Sequence, residues 1–306
     1  MVDRMNISTA KGAAYMIMFG AVASVQAALS KAMIDNGSNA FELVFIRCVI
    51  HLFVILTFTS WTSTVSYTLV DMFLYICCTF TAVISWIATN LSFCSLGVGD
   101  SIAIETGACV LLTTFVGHIW LSERVDKTDI PILLMNIIGV ILVVKPSMIF
   151  EPNAYHKQGQ IMGAVFALAA GILCAIYPVT VKFIARRETF NINIFLFFHG
   201  ITGIPITLVI TALFSTPWKP SYSLDNCLMT LVYQMFCLAQ TSFFALALEL
   251  EDATYVAVAS TISCVLTYLA QLTIFKATLD WLAIVGSLLI LSALTLFQIR
   301  QIRRKS

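Results

Sequence analysis

Charge is what this sequence has least of. Only 11% of its 306 residues are Asp, Glu, Lys or Arg, and 59% are hydrophobic. A soluble chain carries about 25% charged residues and cannot hide this much apolar surface from water. A soluble globular fold is excluded, and a lipid bilayer is the expected solvent. A net charge of +1 gives no basic surface for nucleic acid, so no such partner is expected. There is no HExxH, no GxSxG and no pair of carboxylates on one helix face, which argues against an enzyme. Nine cysteines are present, but none forms a CxxC pair or a Cys/His cluster at ligand spacing. Neither a metal nor another cofactor is expected. Most cysteines fall inside apolar runs, where they serve as small packing residues.

In place of charge the chain holds long apolar runs. A membrane-spanning helix needs about 20 apolar residues, and ten segments qualify: 12–34, 39–59, 70–96, 99–121, 128–145, 159–184, 190–214, 226–248, 252–275 and 279–299. In lipid every backbone amide needs an internal partner, so these segments are predicted to be helices. The first run is longer than the roughly 7–15 residues of a signal-peptide core and reads as a retained span.

The chain looks written twice. Gly12, Gly20 and Lys31 recur at one constant offset as Gly163, Gly171 and Lys182. After one position of drift, Phe41–Arg47 meets Asn193–His199, and Asp100 meets Asp252. Five spans per copy would force the second copy to enter the membrane from the opposite side, the inverted repeat of many secondary transporters. The expected organisation is a first five-helix repeat over 1–145, a linker over 146–158, a second repeat over 159–300 and a basic cytosolic tail over 301–306. With both termini in the cytosol, that side holds Arg4, Lys11, Arg124, Lys127, Lys182, Arg186, Arg187, Arg300, Arg303, Arg304 and Lys305. The other side holds only Lys31, Lys145, Lys157, Lys219 and Lys276. That asymmetry sets the expected orientation.

Helix packing is legible in the stripe Gly163, Ala167, Gly171, Ala175 and in the looser Gly20, Ser24, Ala28, where small side chains let helices approach. Pro178 and Pro205 interrupt the sixth and seventh spans, as kinks or as sources of freed backbone carbonyls. Asp100 and Asp252 each open a span and read as caps on free amides.

Polar residues inside the spans are the candidates for function. Arg47 lies near the middle of the second span, where an unpaired arginine costs about 2.5–3.5 kcal/mol on insertion scales. It is either permanently capped by neighbours or it grips an anion, since a guanidinium holds carboxylate or phosphate at two points. His51 lies one turn beyond it, and His199 takes its place in the second copy. Glu105, in the fourth span, is either an acid reaching water from a helix end or a proton relay, cation ligand or partner of Arg47. Gln26, Trp86, Asn90, Tyr177, Gln240 and Tyr255 occupy corresponding spans of the two copies. Trp61, Trp120, Trp218 and Trp281 lie at span ends, where indoles favour the membrane interface.

Several stretches carry a family likeness: Phe45-Ile46-Arg47-Cys48-Val49, Gly99-Asp100-Ser101, Gly139 to Pro146 and Ala247 to Asp252. With ten spans in two copies, the chain resembles the drug/metabolite transporter superfamily of EamA type, and within it subfamily G of solute carrier family 35. The resemblance implies an alternating-access carrier with spans 1, 3, 4, 6, 8 and 9 around a central cavity. Spans 5 and 10 would lie outside, at a homodimer contact. Members often carry proline where this chain has Cys109, and a small apolar residue where it has Glu105.

The expectation is therefore an all-α, multi-pass secondary transporter of a small polar metabolite, a carboxylate or other organic anion. Arg47 would be the anion partner, with His199, Tyr255, Asn90, Gln240, Tyr177, Gln26 and Trp86 as substrate contacts and Glu105 as the proton-coupling residue. The alternative is a non-transporting membrane scaffold gripped through its basic tail or the Arg186-Arg187 loop, against which the short loops count.

Overall fold

The fold follows from a sequence that leaves its backbone only one way to satisfy itself in lipid. In the computed structural model, residues 2–58, 67–96, 98–123, 126–144, 158–214, 224–274 and 281–305 are described, and their regular structure is helical. In chain order the helices are α1 (Val2–Asp35), α2 (Ala40–Phe58), α3 (Leu69–Phe93), α4 (Val98–Trp120), α5 (Asp129–Val144), α6 (Gln158–Arg186), α7 (Ile192–Leu213), α8 (Leu224–Leu250), α9 (Ala253–Ser260), α10 (Ile262–Ile274) and α11 (Trp281–Lys305). A helix or helix pair lies in each of the ten predicted segments. Eight of them (α1 to α4, α6 to α8 and α11) contain stretches long and apolar enough to cross a membrane. Two apolar helical stretches are shorter, Asp129–Val143 and Ala253–Leu269. The linker 146–158 lies outside the described residues except for its last residue, Gln158, which begins α6; Trp61 and Trp218 lie outside them too. The backbone of α11 runs on through most of the expected tail.

Local chemistry sets the helix ends. Thr68 and Asp71 form a capping box at the start of α3: the Asp71 amide donates to Thr68 Oγ1 and the Thr68 amide to Asp71 Oδ2. Asn191 caps α7 by accepting from the Asn193 amide at 2.9 Å. Gly37, with φ of 94°, closes α1 in a Schellman turn. There Gly37 N donates to Ile34 O and Ser38 N to Met33 O, each at 2.9 Å. Pro178 and Pro205 sit inside α6 and α7 without ending them. The break falls instead at Thr261, between α9 and α10, where Asn136 of α5 donates to the Thr261 hydroxyl at 2.9 Å.

Packing pairs α1 with α8, α2 with α7, α3 and α4 with α6, and α5 with α11. The small-residue stripe acts as expected. A Cβ on Gly171 would come within 2.7 Å of the Ala108 Cβ, and one on Gly163 within 2.8 Å of Leu96. Gly139 and Gly286 do the same for α5 and α11: a Cβ on Gly139 would lie 2.8 Å from the Gly286 carbonyl. Outside this packing, Phe53, Leu56, Phe73, Phe115, Val165, Val209 and Leu288 are exposed, an apolar surface suited to acyl chains rather than water. Trp120 and Trp281 are exposed at helix ends, as an interfacial position requires.

One end of the bundle is tied by polar contacts. Arg187, after α6, pairs with Asp71 at the start of α3 at 2.8 Å. Arg300 of α11 pairs with Asp129 at the start of α5 at 2.5 Å. Arg186 donates to the Leu121 carbonyl after α4. The largest apolar cluster, with Tyr75, Tyr177, Ile184, Phe195, Leu248, Val256 and Phe297, reaches toward this same end.

The cap on α9 departs from expectation. Asp252 occupies the N-cap position, but its side chain makes no capping hydrogen bond. Glu123, buried in the turn after α4, does the work from the other half of the chain. It accepts from the Ala253 amide at 2.8 Å, the Thr254 amide at 3.1 Å and the Thr254 hydroxyl at 2.6 Å. Asp100 is not the residue that opens α4, which starts two residues earlier at Val98 and has Asp100 in its first turn.

Candidate functional site

The far half of α3 leads to the site. Spacing of three to four residues places Ser85, Trp86, Thr89, Asn90 and Phe93 along one face, and all five line a cavity of about 150 Å³. The remaining walls are Phe19, Gln26 and their neighbours from α1, Arg47 from α2, Ile102 to Cys109 from α4, and Cys174 and Tyr177 from α6. Gln240, Thr241 and Phe244 from α8, Ser260 from α9, and Ser263 and Thr267 from α10 complete the lining. The cavity lies away from the tied end. Thus the six spans implied by the family likeness do surround it, and α2 joins them through one residue, Arg47.

Arg47 is only 3% exposed. Its Nη2 donates to Thr241 Oγ1 at 2.7 Å and weakly to the Cys237 carbonyl at 3.4 Å. Its guanidinium carbon lies 3.3 Å from the centroid of the Trp86 ring. A charged hydrogen bond contributes about 1.5–3 kcal/mol and a desolvated cation–π contact about 2 kcal/mol. Together these offset the insertion cost of the arginine without any counter-ion. Every one of these partners is neutral, so the positive charge in the cavity wall is not cancelled. Its Nε is buried and has no hydrogen-bond partner among the described residues.

Glu105 does not pair with Arg47. Its carboxylate accepts from Thr89 Oγ1 at 3.0 Å, one turn along α3 from Trp86. Asn90 accepts from Ser30 at 2.7 Å, pinning α3 to α1. Gln26 donates to the Tyr233 hydroxyl at 3.2 Å. Tyr177 stacks on Phe244 with ring centroids 5.4 Å apart. Its hydroxyl is buried without a partner among the described residues, as is the Gln240 Oε1.

Seven of the nine predicted site residues therefore meet at one cavity: Arg47, Glu105, Asn90, Gln240, Tyr177, Gln26 and Trp86. The other two do not line it. His199 is fully buried between α7 and α2, with its Nδ1 3.1 Å from the Nδ1 of His51. One ring donates and the other accepts, so the two hold opposite tautomers. Gly200 and Gly203 let α7 press onto Cys48 of α2, and that contact turns His199 toward His51 and behind Trp86, 4.5 Å away by centroids. Tyr255, in the first turn of α9, is buried near Phe297 toward the tied end, with ring centroids 6.4 Å apart. Sequence reading missed Thr241 and Thr89, the hydroxyls that hold Arg47 and Glu105. A threonine in an apolar helix also satisfies itself on its own backbone, as Thr241 does on Cys237, so composition does not flag it.

Residues 161–298 match the EamA-like transporter family. The mouse protein solute carrier family 35 member G1 is 24% identical over 272 residues, spanning 87% of this chain and 73% of that protein. The second half of the chain is thus similar to EamA-like transporters, and most of its length is similar to solute carrier family 35 member G1. The human member G1 is 23% identical over 201 residues, covering 65% of this chain and 54%, about half, of its own length. A solved crystal structure overlays 94% of this chain and 96% of its own, with a TM-score of 0.70 at 12% identity, a likeness of fold alone. The apolar helices, together with the similarity to EamA-like transporters, support a multi-pass integral membrane protein.

Proposed function

We propose that this protein is a secondary-active carrier that moves a small polar metabolite bearing an anionic group. The observation that carries the reading is Arg47: a buried positive charge in a cavity wall, held among the described residues by neutral partners alone and with Nε unpartnered there. A guanidinium in that state is matched to carboxylate or phosphate. Glu105 is assigned to proton coupling, as the carboxylate that shares the cavity.

We assign the movement to alternating access between inverted halves, 1–145 and 159–300, joined by 146–158. Packing supports this, because the helix pairs come in couples that exchanging the halves interconverts. The α1–α8 pair matches α6–α3, and α4–α6 matches the contact of α1 with α9 and α10. The α2–α7 and α5–α11 pairs each map onto themselves. Two lysines repeat the pattern. Lys31 of α1 donates to the Phe93 carbonyl that ends α3, at 2.8 Å. Lys182 of α6 donates to Leu248 near the end of α8, at 3.1 Å. Each is a cation at the negative end of a helix. With one end tied and the cavity toward the other, the structure fits a state open away from the tied end. The lysine and arginine bias makes that tied end, and both termini, cytosolic. Because α5 and α11 pack on each other through Gly139 and Gly286, a homodimer would use their outer faces.

The test is flux of radiolabelled organic anions into proteoliposomes of the purified full chain. Uptake that Arg47→Ala abolishes, in a variant that purifies as a folded, monodisperse protein, is the expected result. Normal uptake by that variant removes the anion site, and no flux in any gradient favours the scaffold.

A further inference from the structure

The cavity wall holds two opposite charges that do not neutralise each other. Arg47 lies over Trp86 and donates to Thr241. Glu105 accepts from Thr89. Among the described residues no ion pair joins the two. Trp86 and Thr89 are three residues apart on α3, so the partners of the two charges share one face of that helix, about one turn or 5 Å apart along it. Two further polar atoms of the lining, Tyr177 Oη and Gln240 Oε1, are buried and have no partner among the described residues. One is a hydroxyl and the other a carbonyl oxygen, so both a donor and an acceptor remain to be satisfied.

A simple anion answers only half of this arrangement. It neutralises Arg47 but comes within reach of a carboxylate that repels it, in a setting where water screens little. A simple amine has the converse difficulty with Arg47. We infer that the ligand is bipolar: an anionic group meets Arg47 while an ammonium meets Glu105. The inference rests on the anion site proposed above and adds the second charge. At about 150 Å³ the cavity is smaller than the roughly 300–1,000 Å³ of most ligand pockets, which fits a small zwitterion of the amino-acid class. The aromatic walls Phe19, Tyr177 and Phe244 accept its apolar part. Facing an ammonium, Glu105 is ionised; the proton-coupling role belongs to the empty cavity.

The test compares matched probes in proteoliposomes of the full chain: a radiolabelled equimolar mixture of amino acids against the corresponding mixture of 2-hydroxy acids. The two sets differ in the ammonium and share the carboxylate. Amino-acid uptake exceeding hydroxy-acid uptake by about tenfold or more, the equivalent of one modest charge interaction, is the expected result. Glu105→Gln, which keeps the shape and the Thr89 contact, is expected to bring that ratio close to one. Equal or greater hydroxy-acid uptake by the parent, still lost in Arg47→Ala, would overturn the bipolar ligand and leave the anion site standing. Uptake unaffected by Arg47→Ala would overturn the anion site itself. An unchanged ratio in Glu105→Gln would overturn the assignment of the ammonium to Glu105. The parent ratio needs no variant to fold.

Discussion

The guanidinium of Arg47 rests on the indole of Trp86, with its carbon 3.3 Å from the ring centroid. This contact keeps a charge in place without cancelling it, which a carboxylate partner would not do. Trp86→Ala removes the platform and the packing against His199. A desolvated cation–π contact is worth about 2 kcal/mol, so the KM for uptake is expected to rise by roughly thirtyfold. Trp86→Phe keeps an aromatic face and is expected to fall between the two. Uptake kinetics in proteoliposomes measure both, and a KM for Trp86→Ala equal to that of the parent would show that Arg47 does not depend on the ring.

Tyr255 gives a contrasting test. It belongs to the packed region near Phe297 and has no face on the cavity. Tyr255→Phe removes one hydroxyl and leaves the ring, so uptake is expected to stay within about twofold of the parent, the scale of a half-kcal/mol effect. A large rise in KM would return Tyr255 to the binding site.

The contrast between these residues bears on what a sequence makes legible. Arg47, Glu105, Trp86 and the amides stand out because polar and bulky groups are costly or unusual inside apolar runs, and those residues do meet at one cavity. Which face of a helix a residue occupies is a tertiary property. The sequence offset pairs His199 with Arg47, yet the glycines beside it bring α7 against α2 and turn it onto His51. Pro178 and Pro205 lie inside continuous helices, and the helix break lies at Thr261, where a side chain from α5 supplies a hydrogen bond. No local pattern encodes that donor. The cap on α9 is likewise non-local: Asp252 has the right residue type at the right position, but Glu123 reaches the free amides first.

Glu105 is the carboxylate of the cavity, and its only hydrogen bond among the described residues is from a neutral hydroxyl. If it takes and releases the coupling proton, uptake by the parent changes across a range of external pH. Glu105→Gln cannot titrate, and its uptake is expected to be flat over that range. Initial rates at fixed substrate and varied external pH make the comparison. An identical pH profile in the variant would exclude Glu105 as the coupling group.

Glu123 ties the two halves together at the closed end. Ser122, with φ of 51°, reverses the chain after α4. Gly117 leaves room for the returning carboxylate: a Cβ there would lie 3.1 Å from Glu123 Oε2. The carboxylate then accepts two amides at the start of α9 and the Thr254 hydroxyl. Deleting it leaves buried amides without partners and removes the negative charge that a helix N-terminus favours. A lost cap costs about 1–2 kcal/mol, so Glu123→Ala is expected to lower the Tm in detergent by several degrees, with Glu123→Gln in between because its amide oxygen still accepts. Loosening this tie also favours opening of the end that the structure holds shut. Glu123→Ala should therefore expose the start of α9 to hydrogen exchange more than Glu123→Gln does, while the start of α2, which takes no part in the contact, stays as protected as in the parent. Equal protection of α9 in all three proteins would mean that its amides find another acceptor and that Glu123 is not the tie.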